Sequence, residues 1–179
     1  MSRDLELLVP EFKEHIDFIL SALRGEGLNV RPFFTLRDPW TQAKLWRQSR
    51  SFTEVRKIMG KLRQEGAPFL AQTFEDVGPQ MGRWATNALP GQSWHQWGEA
   101  VDCFVVNEAG RAVWSAKHPA YLRYAELARE QGLVAGYFWQ RRDAVHVQFR
   151  NSAVRAEHTW PQINEAMETQ FGPNKEKYL

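Results

Sequence analysis

The pattern of apolar and polar positions predicts several amphipathic helices along the chain. Residues 10–24 carry apolar side chains at helical spacing, at Phe12, Ile16, Ile19, Leu20 and Leu23. Gly25 and Gly27 follow and are typical of a helix end. Further helices are predicted from capping and periodicity after Asp38, over 51–65, between Pro119 and Gly132, and near 152–170.

Strand patterns alternate with these helices. Residues 29–37 (NVRPFFTLR) are rich in residues that favour strands, with Pro32 indicating a sheet edge or a strand start. Residues 100–106 (AVDCFVV) predict a buried strand, and 133–138 with 143–149 predict a hairpin. We therefore predict an α+β fold, with a small, mainly antiparallel sheet flanked by helices, in a single domain over 1–179.

One segment lacks a clear pattern. Residues 66–92 hold four glycines and three prolines, which predicts a long loop. Loops of that length in a compact domain are usually functional or mobile. The loop ends at Ser93, next to the polar motif described below, so we predict that it controls access to that site. An inert loop packed by its own aromatic residues is the alternative.

Composition narrows the possible functions. The net charge of +2 gives no electrostatic case for nucleic-acid binding. The single cysteine, Cys103, excludes an internal disulfide and a four-cysteine zinc site, so any zinc must be held by His, Asp or Glu. No basic and apolar leader and no long apolar span is evident, which favours synthesis in the cytoplasm and no membrane anchor.

Polar residues on the predicted strands are the candidates for chemistry. Asp102 lies within an apolar strand, where a carboxylate is costly unless it is paired or binds a metal. His95 precedes that strand by a turn containing Gly98, and His146 lies on the last predicted strand. If the two strands are neighbours, the three side chains can meet as the ligands of a catalytic zinc. Unrelated polar residues at a strand mouth remain the alternative.

The segment 93–102 (SWHQWGEAVD) resembles the SxHxxGxAxD signature of the zinc D,D-carboxypeptidase and L-alanyl-D-glutamate endopeptidase family, which acts on peptidoglycan. Two further elements resemble motifs of that family and occur in the expected order. They are an RxxxxQ element at Arg37 and Gln42, and a W…DxxH segment at Trp139, Asp143 and His146.

This resemblance implies the roles of the site residues. It implies zinc ligands at His95, Asp102 and His146, and a catalytic base at Asp143. It places substrate or transition-state contacts at Arg37, Gln42 and Ser93. The chain departs from the DxPHF pattern that is common in the endolysin branch, since DAVHVQF has Val145 and Val147 around the histidine.

Neighbouring residues leave alternatives open. Trp94 and Trp139 flank the predicted site, either as its walls and core or as contacts to the glycan or stem peptide. Glu99, inside the motif, is expected to point to solvent, with a role behind the ligands left open. Cys103 should face the opposite side of its strand from Asp102, as a buried thiol.

The sequence therefore predicts a zinc metallopeptidase that cleaves peptidoglycan stem peptides. Asp143 favours cleavage between L-Ala and D-Glu, because the endolysin-like branch that it resembles has Asp where the vancomycin-resistance dipeptidases have Glu. A D-alanyl-D-alanine carboxypeptidase or dipeptidase is the alternative, and a wall-binding module that kept the fold is the non-enzyme alternative. We expect a monomer of phage or prophage origin that reaches the wall after release from the cytoplasm.

Overall fold

A computed structural model describes residues 2–179 and divides the chain into two compact units. Unit 1 comprises the chain up to Leu36 together with Trp97–Asn151, and unit 2 comprises Arg37–Gln96 and Ser152–Leu179. No helix in the described part of the chain is long and apolar enough to cross a membrane. The prediction of a single peptidase domain over 1–179 stays a prediction.

Unit 1 is built on an antiparallel sheet. Its five strands are β1 (Val30–Phe34), β2 (Ala100–Val106), β3 (Ala112–Val113), β4 (Val134–Ala135) and β5 (His146–Gln148). The order is β1-β2-β5-β4, with the short β3 also paired to β2. The α-helices described in this unit are α1 (Pro10–Gly25) and α5 (Pro119–Glu130). The predicted α+β fold is confirmed, and β1 lies at the sheet edge that Pro32 indicated.

One face of the sheet forms the core of unit 1. Val101, Cys103 and Val105 alternate along β2 and pack in one apolar cluster with α1 and α5 residues such as Phe12 and Tyr124. Burial raises the pKa of the Cys103 thiol to about 12, so the thiol stays protonated near neutral pH. The prediction of a buried thiol on the face opposite Asp102 is confirmed.

Unit 2 is helical. It contains α2 (Pro39–Arg47), α3 (Phe52–Gln64), α4 (Pro68–Val77), α6 (Val154–Glu157) and α7 (Trp160–Phe171). Trp40 is fully buried there, stacks on Tyr178 and donates its indole N–H to Asp76 Oδ2 at 2.8 Å. A buried indole needs such an acceptor, and the arrangement ties α2, α4 and the C-terminal residues together.

The prediction of a continuous loop over 66–92 is wrong for its first half. Residues Pro68–Val77 form α4, whose buried side includes Leu70, Ala71 and Phe74 at helical spacing. Pro68 occupies the first turn, where its missing N–H and fixed φ are compatible with a helix. The proline counted as a loop signal is therefore a helix-start signal. Residues 66–67 and 78–92 of the predicted loop lie outside helices and strands.

The last predicted helix is two helices. α6 ends at Glu157, His158 is extended, and α7 begins after Thr159, which forms a capping box with Gln162. Pro161 lies in the first turn of α7, and a proline there cannot continue a helix from upstream because it lacks the N–H and clashes with the preceding turn. The predicted hairpin is confirmed as β4 paired with β5, although both strands are shorter than predicted.

Candidate metal centre

Two of the predicted ligands are directly opposite each other in the sheet. Asp102 on β2 pairs in register with His146 on β5, and opposite residues of antiparallel strands project to the same face. His146 Nδ1 lies 2.9 Å from Asp102 Oδ1. Both side chains are mostly buried on the face of the sheet that is not covered by α1 and α5. The strand register therefore brings together two residues that are 44 positions apart.

His95 lies in a short 3₁₀ turn, Trp94–Trp97, immediately before β2. Its side chain is buried, and its carbonyl accepts the Arg37 N–H at 3.1 Å. The chain then turns at Gly98, whose φ of +70° favours glycine. A Cβ at Gly98 would lie 2.9 Å from the Leu7 carbonyl oxygen, so a larger residue would move the turn that precedes the strand.

The three predicted ligands come together. His95, Asp102 and His146 each offer one ligand atom, and these atoms lie within 4.8 Å of one another. Two imidazoles and one carboxylate, largely shielded from solvent, match the donor set of a catalytic zinc site that keeps one position open. The residues present thus fit a zinc ion. Coordination of the ion would offset the cost of burying Asp102 and His146 on the strands.

Electrostatics at His146 reflect this crowding. Burial acts to lower the pKa of His146, but the hydrogen bond and the charge of Asp102 act in the opposite direction, as do Gln148 and the charge of Asp143. The net effect is a raised pKa. The histidine therefore lies near negative charge from Asp102 and Asp143, which also favours a divalent cation.

Asp143 lies at the start of the segment that leads into β5. Its side chain is exposed, and its charge is felt by His146. The Asp143 N–H donates to the Gly136 carbonyl at 2.9 Å, and the His146 N–H donates to the Asp143 carbonyl at 3.3 Å. A Cβ on Gly136 would lie 2.6 Å from the Asp143 carbonyl oxygen, so this close approach requires glycine. These backbone bonds therefore fix the main chain at Asp143, and the residue itself is exposed.

Trp139 borders the same histidine. Its ring centroid lies 5.2 Å from that of His146, and about two fifths of its surface is exposed. The backbone N–H of Trp139 donates to the Gly136 carbonyl, which also accepts the backbone N–H of Asp143. The predicted substrate-binding role of Trp139 stays a prediction, supported by an exposed aromatic surface beside a candidate ligand.

Arg37 and Gln42 are joined to each other. Arg37 Nη1 donates to Gln42 Oε1 at 2.9 Å, and Gln42 Nε2 donates to the Ala88 carbonyl at 2.7 Å. Gln42 is fully buried on α2, whereas Arg37 is only half-buried. With both ends of its amide engaged, Gln42 is suited to holding Arg37 in place.

Ser93 and Trp94 begin the segment that carries His95. The Ser93 carbonyl accepts the Gln96 N–H at 2.9 Å, which closes the 3₁₀ turn. Trp94 is buried and donates its indole N–H to the Ser152 carbonyl at 2.7 Å. Of the two alternatives for Trp94, this geometry favours the packing role. Its predicted substrate contact, like that of Ser93, stays a prediction.

The expectation that Glu99 points to solvent is wrong. Glu99 is buried, and its two carboxylate oxygens accept hydrogen bonds from Arg150 Nε and Nη2 at 2.8 and 3.0 Å. The Phe149 N–H also donates to the Glu99 carbonyl at 2.9 Å. The alternating pattern of β2 gave no signal for this ion pair, because the arginine that compensates the carboxylate lies 51 residues away.

Comparison with known proteins identifies the family. The family described as VanY, D-alanyl-D-alanine carboxypeptidase, matches residues 6–151, which is most of the chain. The chain belongs to this family. It is accordingly a peptidase of the kind that acts on the bacterial cell wall, and the predicted family is confirmed. A search of curated proteins finds no significant match.

Solved structures similar to this member of the VanY family include two peptidases. The L-Ala D-Glu endopeptidase ChiX of Serratia marcescens is 19% identical, with 82% of this chain and 83% of that chain covered and a TM-score of 0.42. A mutant of the vancomycin resistance D,D-pentapeptidase VanY from a VanB-type cassette, in complex with Zn(II), is 15% identical, with 96% and 83% covered and a TM-score of 0.48.

Proposed function

We propose that this chain is a zinc-dependent peptidase that cleaves the stem peptide of peptidoglycan between L-Ala and D-Glu. The observation that carries the zinc assignment is the convergence of His95, Asp102 and His146, whose ligand atoms lie within 4.8 Å of one another. A carboxylate and two imidazoles brought to one point form a donor set that suits a catalytic zinc ion. Membership of the VanY family supports the peptidase activity.

The protein's own residues supply the proton transfers. When bound, zinc would polarise the scissile carbonyl and lower the pKa of water in contact with it to about 7. Asp143 accepts a proton from the attacking water as the water oxygen bonds to the carbonyl carbon. Asp143 then gives that proton to the leaving nitrogen as the C–N bond breaks. Its exposed position, from which its charge acts on His146, suits this double role.

Arg37 is proposed to bind the substrate. A guanidinium offers a fork of donors that suits a carboxylate or the negative charge that develops on the carbonyl oxygen. Its Nη1 is oriented by Gln42, and its backbone N–H bonds to the carbonyl of His95. The main chain of Arg37 is therefore bonded to that of His95, a proposed ligand. This bond would fix the position of the bound substrate relative to the metal.

The bond cleaved is supported by one residue. The endolysin-like branch that the sequence resembles carries aspartate at the base position, as this chain does at Asp143. The second candidate is a D-alanyl-D-alanine carboxypeptidase, and the description of the matching family favours it. The two reactions release different products. Cleavage after L-Ala releases a stem fragment that begins at D-Glu, whereas the carboxypeptidase releases only the terminal D-Ala.

Mass spectrometry of muropeptides after digestion distinguishes the two candidates. Purified sacculi and a synthetic pentapeptide stem are incubated with the zinc-loaded protein, with Asp143→Asn as the matched inactive control. Stems that begin at D-Glu support the proposal, and free D-Ala with tetrapeptide stems supports the second candidate. Walls that sediment with the protein but stay intact would contradict both and favour the wall-binding alternative.

A further inference from the structure

His146 is held at both ring nitrogens. Nδ1 lies 2.9 Å from Asp102 Oδ1, and Nε2 lies 3.1 Å from Gln148 Oε1. Asp102 is itself one of the proposed ligands, so Nδ1 is the nitrogen that faces the proposed metal site. Nε2 faces the side chain two residues along the same strand, on the same face of the sheet.

The orientation of the Gln148 amide is fixed by a second contact. Its nitrogen, Nε2, lies 2.5 Å from the carbonyl oxygen of Arg150. A backbone carbonyl can only accept a hydrogen bond, so the amide nitrogen must face it. The amide oxygen must then face His146, and an amide oxygen can only accept. The proton in that hydrogen bond therefore belongs to His146 Nε2.

The carbonyl that orients Gln148 is itself anchored. The Arg150 side chain makes two hydrogen bonds to the buried carboxylate of Glu99, and the N–H of Phe149 donates to the Glu99 carbonyl. These bonds fix residues 149 and 150 to the start of β2. All of these groups lie within unit 1, in the part of the sheet where β2 pairs with β5.

We propose that Gln148 is a positioning residue that keeps a proton on His146 Nε2 and so leaves the Nδ1 lone pair to the metal. A neutral imidazole has one protonated and one free nitrogen, and the partner of the protonated nitrogen decides which one is free. This inference rests on the proposed function for its consequence, zinc binding. The proton on Nε2 is a property of the protein alone, whereas the proton that Nδ1 shares with Asp102 in the metal-free protein leaves when a metal binds.

The experiment compares wild type with Gln148→Leu, which removes the acceptor, and Gln148→Glu, which keeps it while giving up the donor to Arg150. Gln131→Leu is the matched control, because Gln131 Oε1 lies 3.1 Å from Nδ1 of His15, a histidine outside the site. Zinc affinity is measured by competition with a chromophoric chelator. Histidine ring N–H signals are recorded by ¹⁵N NMR on the metal-free and the zinc-loaded protein.

We expect Gln148→Leu to bind zinc about 10- to 100-fold more weakly than wild type. The Nε2–H signal of His146 should be protected from solvent exchange in wild type and Gln148→Glu, and lost in Gln148→Leu. Gln148→Glu and Gln131→Leu should keep zinc affinity near wild type. Thermal unfolding followed by circular dichroism verifies that each variant is folded.

Unchanged zinc affinity together with an unchanged Nε2–H signal in folded Gln148→Leu would overturn the inference. A loss of affinity with no change in the signal would also overturn it, because the effect would then be structural. If wild type takes up no zinc, the proposed function fails. The signal of the metal-free protein then decides the proton placement separately.

Discussion

At the scale of single residues, the candidate site separates groups that would bind a metal from groups that would act on the substrate. His95, Asp102 and His146 are shielded from solvent and converge, whereas Asp143 is exposed. Loss of a ligand and loss of the base should therefore have different consequences, and single substitutions can test this.

Asp143→Asn should keep zinc and lose nearly all turnover. The amide preserves the shape and cannot accept the water proton, and removing a general base typically costs about 10²- to 10⁴-fold in rate. Zinc content is measured by atomic absorption and turnover on a stem peptide. Glu108→Gln, in the exposed turn after β2, is the matched control and should retain full activity. An active Asp143→Asn would place the base elsewhere.

Arg37→Ala should lower kcat/KM and leave zinc content and the unfolding temperature close to wild type. The half-buried guanidinium is proposed to contact substrate, and its backbone N–H bond to His95 survives the substitution. Steady-state kinetics and a thermal melt separate the two effects. An unfolded Arg37→Ala protein would show instead that the side chain holds the structure.

Gln42→Ala should behave differently from Arg37→Ala, because Gln42 is fully buried. The substitution removes the donor to the Ala88 carbonyl and the acceptor for Arg37 Nη1. Leaving a buried polar group without its partner costs about 1–3 kcal/mol, so the free energy of unfolding should fall along with activity. Urea denaturation measures the free energy of unfolding. A variant with wild-type stability and reduced kcat/KM would favour the predicted direct contact of Gln42 with substrate.

At the scale of elements, short irregular segments position the functional groups that the sheet itself does not carry. The 3₁₀ turn Trp94–Trp97 presents His95, and the segment between β4 and β5 presents Asp143. Glycines allow both, since Gly98 passes close to Leu7 and Gly136 passes close to Asp143. Such close approaches leave no space for a Cβ and make the segments sensitive to small changes.

Gly136→Ala should reduce activity by displacing Asp143. The new Cβ would lie 2.6 Å from the Asp143 carbonyl oxygen, so the backbone that holds the base must shift. Gly60→Ala on α3 is the matched control, because nothing lies within 4 Å of its Cβ position, and alanine there should stabilise the helix by about 0.5–1 kcal/mol. Kinetics on a stem peptide distinguish the two. Equal activity of both variants would contradict the positioning of Asp143 by Gly136.

The segment from Gly78 to Ser93 should affect polymeric substrates more than short ones. Its second part is anchored, since the Ala88 carbonyl accepts from Gln42 and the Gly91 N–H donates to Gln96. Residues 81–85 are exposed, with Met81 almost fully so. Deleting 81–85 spares α4 and should lower activity on intact walls more than on a stem peptide. Equal losses would indicate a folding role, and no loss would make the segment inert.

At the scale of the whole molecule, we predict that metal binding and folding are linked. One zinc per chain, held at about 2.0–2.2 Å by nitrogen and oxygen ligands, should stabilise the folded state. Free zinc at 100 times its Kd adds about 2.7 kcal/mol, so a chelator should lower the unfolding temperature and added zinc should restore it. The measurement is calorimetry with metal analysis. A protein that takes up no zinc, with an unfolding temperature unaffected by chelator, would contradict this.

Much of the architecture was predictable from the sequence, because local signals and local structure coincide there. The periodicity of 10–24, the cap at Asp38 and the apolar run at 100–106 each appear as the predicted element. α4 was missed because Gly66 and Pro68 were interpreted as loop signals, although proline in a first turn favours a helix. The break before α7 was missed even though Pro161 marks it.

The sequence by itself determined which residues are candidates for the site, since the resemblance of its motifs to a known family implied the ligands His95, Asp102 and His146 and the base Asp143. Only the tertiary structure decided which contacts hold them. The register of β2 against β5 sets Asp102 opposite His146. The same part of the sheet holds the hydrogen bond between Gln148 and His146 Nε2 and the ion pair between Arg150 and Glu99. Strand pairing joins segments more than 40 residues apart. No local pattern records that register, because it is selected by the burial of one whole sheet face.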